Sequence, residues 1–246
     1  MPLLEVERVS KSFGGVRAVG DVSFTLAEGE LVGVMGPNGS GKTTLFNLIA
    51  GALRPDAGQI RFDGDRIGGL APHRVCDRGI ARTFQLVRAF AGLSARENVL
   101  VGRLYGRNRH AAGATTTEVD RLLSMVGLSG RGHVPAAQLT LIDRKRLELA
   151  RALATGPRLL LLDEFMAGLN PAETAEAMSL IRLLQSQGLS VLMVEHIVWA
   201  LMDLCGRLIV LSAGEKIAEG AAAVVAADPT VLDAYLGGDV KAVRRA

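Results

Sequence analysis

The sequence lacks the features that mark disulfide-linked, metal-binding or membrane-spanning proteins. It has two cysteines in 246 residues, Cys76 and Cys205, and they do not form a C-x-x-C pair. A disulfide or a cysteine metal site is therefore not expected, and we predict that both side chains are small buried groups. No apolar run reaches the ~18 residues that a membrane-spanning helix requires.

A secretory signal is also missing from the sequence. The N-terminal segment, MPLLEVERVSK, carries acids where a signal peptide has a basic segment followed by an apolar one. We therefore expect the protein to remain in the cytosol. The net charge of +3 and the isoelectric point of about 9.1 are too mild to indicate binding to nucleic acid, so no nucleic-acid partner is expected.

The hydrophobic pattern predicts an α/β protein with a mostly parallel sheet. Alternating apolar residues near the N-terminus, such as Phe24 and Leu26, indicate an antiparallel β subdomain with one exposed face. Apolar runs at Leu31–Met35 and Leu189–Val194 indicate buried strands, and strands that alternate with helices imply right-handed crossovers. Residues 86–155 have helical spacing instead, which indicates a helical subdomain inserted between strands.

The segment GPNGSGKT, Gly36–Thr43, fits the phosphate-loop pattern G-x-x-x-x-G-K-[ST] between a buried strand and a helix. Glycines let the backbone turn its N–H groups towards phosphates, and the helix start adds its positive end. Lys42 can reach the β- and γ-phosphates of ATP, and the Thr43 hydroxyl can bind Mg²⁺. The alternative is a glycine-rich turn. The residues predicted to contact ATP here are Gly36, Pro37, Asn38, Gly39, Ser40, Gly41, Lys42, Thr43 and Thr44.

The segment LLLLDE supplies the predicted acidic part of the site. Its apolar strand brings Asp163 to the carboxyl end of the strand, which is the edge at which such sheets bind ligands. Asp163 is predicted to hold Mg²⁺ through water. Glu164 is predicted to polarise the attacking water, because hydrolysis needs an acceptor in line with the γ-phosphate. The alternative for Glu164 is an acid stabilised by the dipole of a helix.

The order and spacing of GPNGSGKTT, RTFQ, RKRLELARAL, LLLLDE and VEH resemble the nucleotide-binding subunit of an ABC transporter. The likeness covers essentially the whole chain and implies a P-loop NTPase core. Finer stretches, among them DEFMAGLNPAET and DPTVLDAYLG, resemble the ATP-binding subunits of branched-chain amino acid importers; urea, amide and other hydrophobic-solute importers share them. We predict one ABC-type domain over residues 1–246, with a core of residues 1–85 and 156–246 and a helical subdomain of residues 86–155.

The resemblance also implies roles for three further residues. Phe13 is expected to stack on adenine, and Gln85 to touch Mg²⁺ and the attacking water and to relay the ATP state to a membrane subunit. His196 is expected to contact the γ-phosphate and to orient Glu164. Each has a structural alternative: a strand-edge aromatic, a solvated loop amide and a hydrogen-bonded histidine at a strand end.

The segment LTLIDRKR, Leu139–Arg146, departs from the family pattern, and we call it the octet. In the family this segment lies at a helix N-terminus and binds the γ-phosphate held by the opposite subunit, through a serine hydroxyl and glycine N–H groups. Thr140 retains a hydroxyl and is expected to contact nucleotide. Ile142 replaces a glycine, and its β-branched side chain can block close backbone approach.

Asp143 is the second departure in the octet. It places negative charge near a phosphate, and the repulsion weakens binding unless Arg144 or Lys145 offsets it. We therefore hypothesise a heterodimer with a second ABC ATPase subunit, in which the site on this chain's own loop is strong and the site that uses the octet is weak. The alternative is that Ile142 is tolerated and both sites work, so that a homodimer is also open.

These features together predict the ATP-hydrolysing subunit of an ABC importer for branched-chain amino acids or related hydrophobic solutes, peripheral at the cytoplasmic face of the membrane. Transmembrane permease subunits are expected to contact the surface around 85–101, with Phe84, Phe90 and Leu93. The alternative is that these residues pack the subdomain. Other readings are an ABC exporter or lipid-extraction subunit, a soluble ABC-type scaffold without a membrane partner, and a nucleotide-binding regulator without turnover.

Overall fold

The computed structural model describes residues 1–84, 89–107 and 116–235 of the chain. These residues form two compact units. The first unit combines Met1–Pro72 with the described residues from Ser190 onwards, and the second unit is His73–Leu189. The predicted division into a core and a helical subdomain, with boundaries at 85/86 and 155/156, stays a prediction.

Strands and helices alternate along most of the chain, which confirms the predicted α/β class. The strands are β1 (Leu4–Phe13), β2 (Val16–Leu26), β3 (Leu31–Met35), β4 (Ala57–Phe62), β5 (Asp65–Arg66), β6 (Ile80–Arg82), β7 (Leu159–Asp163), β8 (Ser190–Val194), β9 (Arg207–Ser212) and β10 (Glu215–Ala221). The helices are α1 (Lys42–Ile49), α2 (Pro72–Arg78), α3 (Ala95–Tyr105), α4 (Thr116–Met125), α5 (Leu141–Ala154), α6 (Pro171–Ser186), α7 (Val198–Leu204) and α8 (Ala222–Ala226). A 3₁₀ turn covers Ala136–Gln138, and residues 229–235 are helical.

Part of the first unit is an antiparallel sheet with one buried face. Its strand order is β2-β1-β4-β5. Leu4 of β1 lies opposite Leu26 of β2 and Phe62 of β4, and all three side chains are buried. Because side chains alternate between the two faces of a strand, the apolar set covers one face and the polar neighbours face outwards. This confirms the predicted antiparallel strands.

The strands that lead to the phosphate loop also belong to the first unit. Their order is β10-β9-β3-β8, with β3 parallel to both β8 and β9 and with β10 antiparallel to β9. All residues of β3 and β8 are buried, as is typical of central parallel strands that are covered on both faces. Since β3 is held by a strand on each side, its carboxyl end delivers the loop Gly36–Thr43 from a fixed position.

The second unit combines a pair of parallel strands with a group of helices. β6 pairs with β7, and α3 packs against α4 and α5. A capping box of Ser94 and Glu97 begins α3, and one of Asn170 and Glu173 begins α6. The strand β6 ends at Arg82, and Gln85 lies outside the described residues.

The two cysteines differ in burial, and the described helices include no candidate membrane span. Cys205 is buried as predicted, and its burial raises the pKa of the thiol above the usual range. Cys76 is only half-buried, so the prediction is wrong for that residue. None of the described helices has both the length and the apolar character needed to cross a bilayer.

Candidate functional site

Two glycines shape the phosphate loop at the end of β3. Gly36 has a φ angle of 149° and Gly41 one of 103°, a region that favours glycine. A Cβ atom on Gly36 would lie 2.1 Å from the carbonyl oxygen of Leu211, and one on Gly41 would lie 2.3 Å from that of Ala18. The loop backbone is therefore packed against neighbouring strands at two positions that leave no space for a side chain.

The first turn of α1 is open to an anion. Gly41 occupies the N-cap and makes no side-chain cap, and the first turn contains no acidic residue. The first N–H groups of a helix have no partner within the helix, and the helix dipole adds positive potential there. Since no capping side chain competes for these N–H groups, this helix start suits a phosphate group.

Lys42 places a buried ammonium group inside the loop. The residue is 6% exposed, and its Nζ donates to the carbonyl oxygens of Gly36 at 2.7 Å and Pro37 at 3.0 Å. The buried Ser40 hydroxyl lies 3.5 Å from the same Nζ. A buried charge needs such partners, and the loop thereby holds a cation where the motif expects phosphates. The remaining side of the loop is exposed at Asn38, Gly39 and Thr43, and Thr44 is half-buried.

Tyr235 is a neighbour of the loop that sequence reasoning missed. Burial raises the pKa of its hydroxyl, and the backbone N–H of Gly36 lowers this pKa only in part. The tyrosine belongs to the helical segment 229–235, at whose start the Thr230 N–H donates to Asp228 Oδ1 over 2.8 Å. The segment DPTVLDAYLG contributed only to a resemblance, because nothing in its pattern points to Gly36.

Two other predicted contacts lie in the first unit. His196 is exposed and follows β8 after the buried Glu195. Phe13 ends β1 with 48% of its surface exposed, and the Lys11 ammonium lies 5.7 Å from the centroid of its ring. Both residues are exposed to solvent. The roles of both residues stay predictions.

The two predicted acidic residues, Asp163 and Glu164, lie in the second unit, where β7 ends at Asp163. This residue is 3% exposed, and its Oδ2 accepts a hydrogen bond of 2.7 Å from Arg82 Nη2. Sequence reasoning missed Arg82, because the segment RTFQ was read for its glutamine. Glu164 is half-buried and has a φ angle of 50°, which is uncommon for residues other than glycine. Backbone strain of this kind persists only where the surrounding structure enforces it, and it is frequent at functional sites.

The predicted magnesium ligands are all oxygen donors, which Mg²⁺ prefers. They are the Thr43 hydroxyl, the Asp163 carboxylate and the amide of Gln85, whose residue lies outside the described part of the chain. Within the described part, no group of three or more His, Cys, Asp or Glu side chains could hold a metal by itself. A hydroxyl and a carboxylate are donors of the kind that Mg²⁺ takes beside substrate phosphates, and their assignment to one ion stays a prediction.

The octet carries its own anion at the start of α5. Thr140 is the N-cap: its Oγ1 accepts from the Asp143 N–H over 3.3 Å, and its hydroxyl donates to Asp143 Oδ2 over 2.8 Å. Arg131 forms a close ion pair with the same carboxylate oxygen, and Arg146 Nη1 lies 3.7 Å from the other oxygen. Arg131 and Arg146 therefore supply the positive charge opposite Asp143.

Lys145, one of the two cations considered as an offset to Asp143, donates to other groups. It is 5% exposed, and its Nζ donates to the carbonyl oxygens of Phe165 at 2.8 Å and Ala167 at 2.7 Å. The ammonium group of this lysine is committed to the loop that follows Asp163, and the cations beside the Asp143 carboxylate are Arg131 and Arg146.

Ile142 faces a cavity of the second unit. The cavity has a volume of about 160 Å³, and its wall includes Met125, Val126 and Phe165. Ile142 is half-buried there, whereas the neighbouring Leu141 is 47% exposed. The isoleucine at the position where the resemblance implies a glycine thus lies next to a cavity that apolar residues also line.

Two protein families match the sequence. The family described as ABC transporter matches residues 19–167, which is more than half of the chain. The family described as branched-chain amino acid ATP-binding cassette transporter matches residues 215–241.

Relatives match along nearly the full length. BraF of Pseudomonas aeruginosa, a high-affinity branched-chain amino acid transport ATP-binding protein, is 38% identical over 250 residues, which cover 96% of this chain and 98% of BraF. LptB of Haemophilus influenzae, a lipopolysaccharide export system ATP-binding protein, is 36% identical over 241 residues, which cover 98% of this chain and 100% of LptB.

The fold is shared with solved ATP-binding cassettes. The ADP conformation of MJ1267, an ATP-binding cassette of an ABC transporter, is similar with a TM-score of 0.87 and 29% identity, over 96% of this chain and 99% of that one. This confirms the predicted P-loop NTPase fold, and BraF confirms the resemblance to the branched-chain amino acid branch. From the family match and from the identity with these relatives, it follows that the chain belongs to the ABC transporter family of ATP-binding proteins.

Proposed function

We propose that this chain is the ATP-hydrolysing, energy-coupling subunit of an ABC importer for branched-chain amino acids or related small hydrophobic solutes. The observation that carries the proposal is the phosphate loop, with its buried Lys42 and its uncapped helix start, in a chain 38% identical to a branched-chain amino acid transport ATP-binding protein. The family match at residues 215–241 supports this branch.

ATP is bound through the phosphate loop in this proposal. The N–H groups of the loop and of the start of α1 take the phosphates, and Lys42 turns from the loop carbonyls towards the β- and γ-phosphates. Phe13 stacks on the adenine ring. Thr43, Asp163 and Gln85 would hold Mg²⁺, which would supply positive charge next to the phosphates.

Hydrolysis depends on a positioned water molecule. Glu164 accepts a hydrogen bond from this water and directs it at the γ-phosphate, while His196 contacts the γ-phosphate and orients Glu164. Gln85 touches the same water. The left-handed backbone of Glu164 supports a functional role, since strain of this kind collects at functional sites.

We propose a second ABC ATPase subunit as a partner, arranged head to tail so that the octet faces the nucleotide bound by that partner. The Thr140 hydroxyl, which this role needs as a donor, already donates to Asp143. The site that uses the octet is therefore expected to be the weaker of two, which favours a heterodimer whose other subunit has a complete octet. A homodimer with two working sites is the alternative.

Permease subunits would hold the chain at the cytoplasmic face of the membrane. The proposed contact surface includes Phe84 and Phe90, which are 38% and 48% exposed, and the half-buried Leu93. The Phe90 N–H donates to Asn98 Oδ1 over 2.8 Å, so this aromatic side chain is presented from a fixed backbone.

A second candidate function is that of an export subunit. The 36% identity to LptB, a lipopolysaccharide export protein, favours it. Both functions use the same ATPase chemistry, and they differ in what the partner subunits carry. Stimulation of hydrolysis in the reconstituted complex by a solute-binding protein loaded with a branched-chain amino acid supports import, whereas stimulation by lipopolysaccharide supports export.

Variants of Lys42 and Glu164 test the proposal directly. Lys42→Ala removes the cation of the loop, and we expect Mg-ATP to bind about 100-fold more weakly, because charge-assisted hydrogen bonds to phosphate are lost. Glu164→Gln removes the water-orienting carboxylate, and we expect hydrolysis to fall by roughly 10²- to 10⁴-fold while ATP still binds. Binding is measured on the full chain and hydrolysis in the reconstituted transporter.

Glu176→Gln is the matched control, since the side chain of Glu176 is 65% exposed in the same unit as Glu164. It should hydrolyse ATP like the wild type. Wild-type affinity in Lys42→Ala would exclude the proposed nucleotide site. Wild-type turnover in Glu164→Gln would instead favour the reading of a nucleotide-binding regulator.

A further inference from the structure

Lys145 joins the helix of the octet to the loop that follows β7. It lies in α5 and is 5% exposed. Its Nζ donates to the carbonyl oxygens of Phe165 at 2.8 Å and Ala167 at 2.7 Å. A buried ammonium group is stable only when polar partners surround it, and here the partners include two backbone oxygens of one short loop.

These two carbonyls belong to the turn that begins with Glu164. The φ angle of Glu164 is 50°, so its backbone lies in a region that residues with a Cβ rarely adopt. The Ala167 N–H donates to the Glu164 carbonyl over 3.1 Å, and the Leu169 N–H donates to that of Met166 over 3.1 Å. Lys145 therefore binds the turn at Phe165, directly after Glu164, and at Ala167, whose N–H closes the turn.

Two hydrogen bonds from one charged group restrain this turn strongly. A left-handed residue relaxes when its surroundings permit, and hydrogen bonds to a charged donor are stronger than neutral ones. If Lys145 is removed, the Phe165 and Ala167 carbonyls lose a donor in a buried place. The turn then has reason to shift, and the side chain of Glu164 shifts with it.

We propose that Lys145 is a positioning residue that holds Glu164 in its strained conformation, so that the carboxylate points where the attacking water is bound. This inference rests on the proposed hydrolytic role of Glu164. Lys145 acts through the backbone of the turn and does not itself bind nucleotide.

The substitution Lys145→Met tests this role, because it keeps an unbranched side chain and removes the donor. In the reconstituted transporter we expect kcat to fall by about ten- to a hundredfold, since small displacements of a catalytic group have effects of this size. The affinity of the full chain for Mg-ATP should stay within about twofold of the wild type, because the phosphate loop is untouched. Lys145→Arg keeps charged donors and should recover part of the lost rate.

Two further measurements separate positioning from general destabilisation. The double variant Lys145→Met with Glu164→Gln should hydrolyse ATP no more slowly than Glu164→Gln alone, since both changes act through one group. Amide hydrogen exchange at Ala167 and Leu169 should accelerate in Lys145→Met. Arg121→Met, which replaces an exposed cation of the same unit by methionine, should alter neither quantity.

The inference is overturned if Lys145→Met keeps the wild-type kcat and exchange rates. It is also overturned if the double variant is slower than Glu164→Gln by the full factor of Lys145→Met, which would make the two residues independent. A wild-type rate in Glu164→Gln, together with faster exchange in Lys145→Met, would uphold the restraint on the turn but reject the proposed function of Glu164.

Discussion

The starts of α1 and α5 differ in negative charge, because the first turn of α5 contains an acidic residue and that of α1 does not. The N-cap of α1 is Gly41, which has no side chain, and its first turn contains no acid. The N-cap of α5 is Thr140, whose side chain caps the helix, and its first turn carries Asp143. The same helix position, the third, is Thr44 in α1 and Asp143 in α5.

A helix start stabilises whichever anion reaches it. A side-chain carboxylate and a bound phosphate interact with the same N–H groups and the same end of the dipole. In α5 the Thr140 side chain accepts from the Asp143 N–H, and the Asp143 carboxylate, paired with Arg131 and Arg146, places negative charge at this end of the helix. In α1 the end is left for a ligand. A helix start can thus either be stabilised by an acidic side chain of the same protein or bind the anion of a ligand. The start of α5 is of the first kind, and the start of α1 is of the second.

Thr44→Asp would copy the α5 arrangement into α1 and should have the largest effect. A carboxylate in the first turn repels the triphosphate, and at a partly buried site the repulsion is roughly 1–3 kcal/mol. We expect Mg-ATP to bind about ten- to a hundredfold more weakly. Thr44→Asn has nearly the same shape without the charge and should bind within a few-fold of the wild type. Titrations of both variants with Mg-ATP measure the difference.

The same pair of variants has a second outcome that sharpens the comparison. An acid in the first turn stabilises a helix, so the free energy of unfolding of Thr44→Asp should equal or exceed that of Thr44→Asn, by up to about 1 kcal/mol. Higher salt should reduce the difference in ATP affinity between them. Equal affinities at low salt would contradict the claim that α1 is kept free of charge for its ligand.

The two helix starts also differ in how far the sequence reveals them. The phosphate loop could be predicted with its strand and helix, because glycines and a lysine at fixed spacing are local signals. The surroundings of Asp143 could not, because its partner Arg131 lies twelve positions earlier in the chain and no periodicity relates the two. The repulsion between Asp143 and a phosphate could therefore be predicted from the sequence, but the cations that balance its charge, Arg131 and Arg146, could not.

Side-chain contacts to backbone groups far along the chain could not be predicted from the sequence. Lys145 donates to the carbonyl oxygen of Phe165, and Tyr235 lies close to the backbone N–H of Gly36. The position of such main-chain atoms depends on the fold and not on the residue type. The fold itself was more accessible: buried strands appear as apolar runs, and the first-unit sheet appears as alternation. The helix α8 was missed because AAVVA has no polar face to set a helical period.

Asp143→Asn should have the next largest effect, and on stability. The carboxylate is 7% exposed, and it loses its charge-assisted bonds to the Thr140 hydroxyl and to Arg131. We expect the free energy of unfolding to fall by about 1–3 kcal/mol, measured by denaturant titration. Asp120→Asn is the control: Asp120 and its partner Arg96 are 45% and 44% exposed, so the change should stay below about 1 kcal/mol. Equal losses of unfolding free energy in both variants would contradict the claim that the Asp143 carboxylate stabilises the start of α5.

Ile142→Gly should have the smallest effect, and it decides whether the octet is weak because of its backbone. In the reconstituted transporter, Glu164→Gln silences the site on this chain's own loop, so the residual hydrolysis reports the site that uses the octet. If Ile142 blocks close approach to that nucleotide, the glycine should raise the residual rate by less than about tenfold. Because Ile142 is half-buried at the cavity wall, the free energy of unfolding should fall by about 1–2 kcal/mol.

Ile142→Ala is the control, since it removes the branched side chain but keeps a Cβ. A higher residual rate with glycine alone would assign the block to access to the backbone. An unchanged rate in both variants would make Ile142 a packing residue of the second unit and leave Asp143 as the only departure in the octet that argues for a heterodimer.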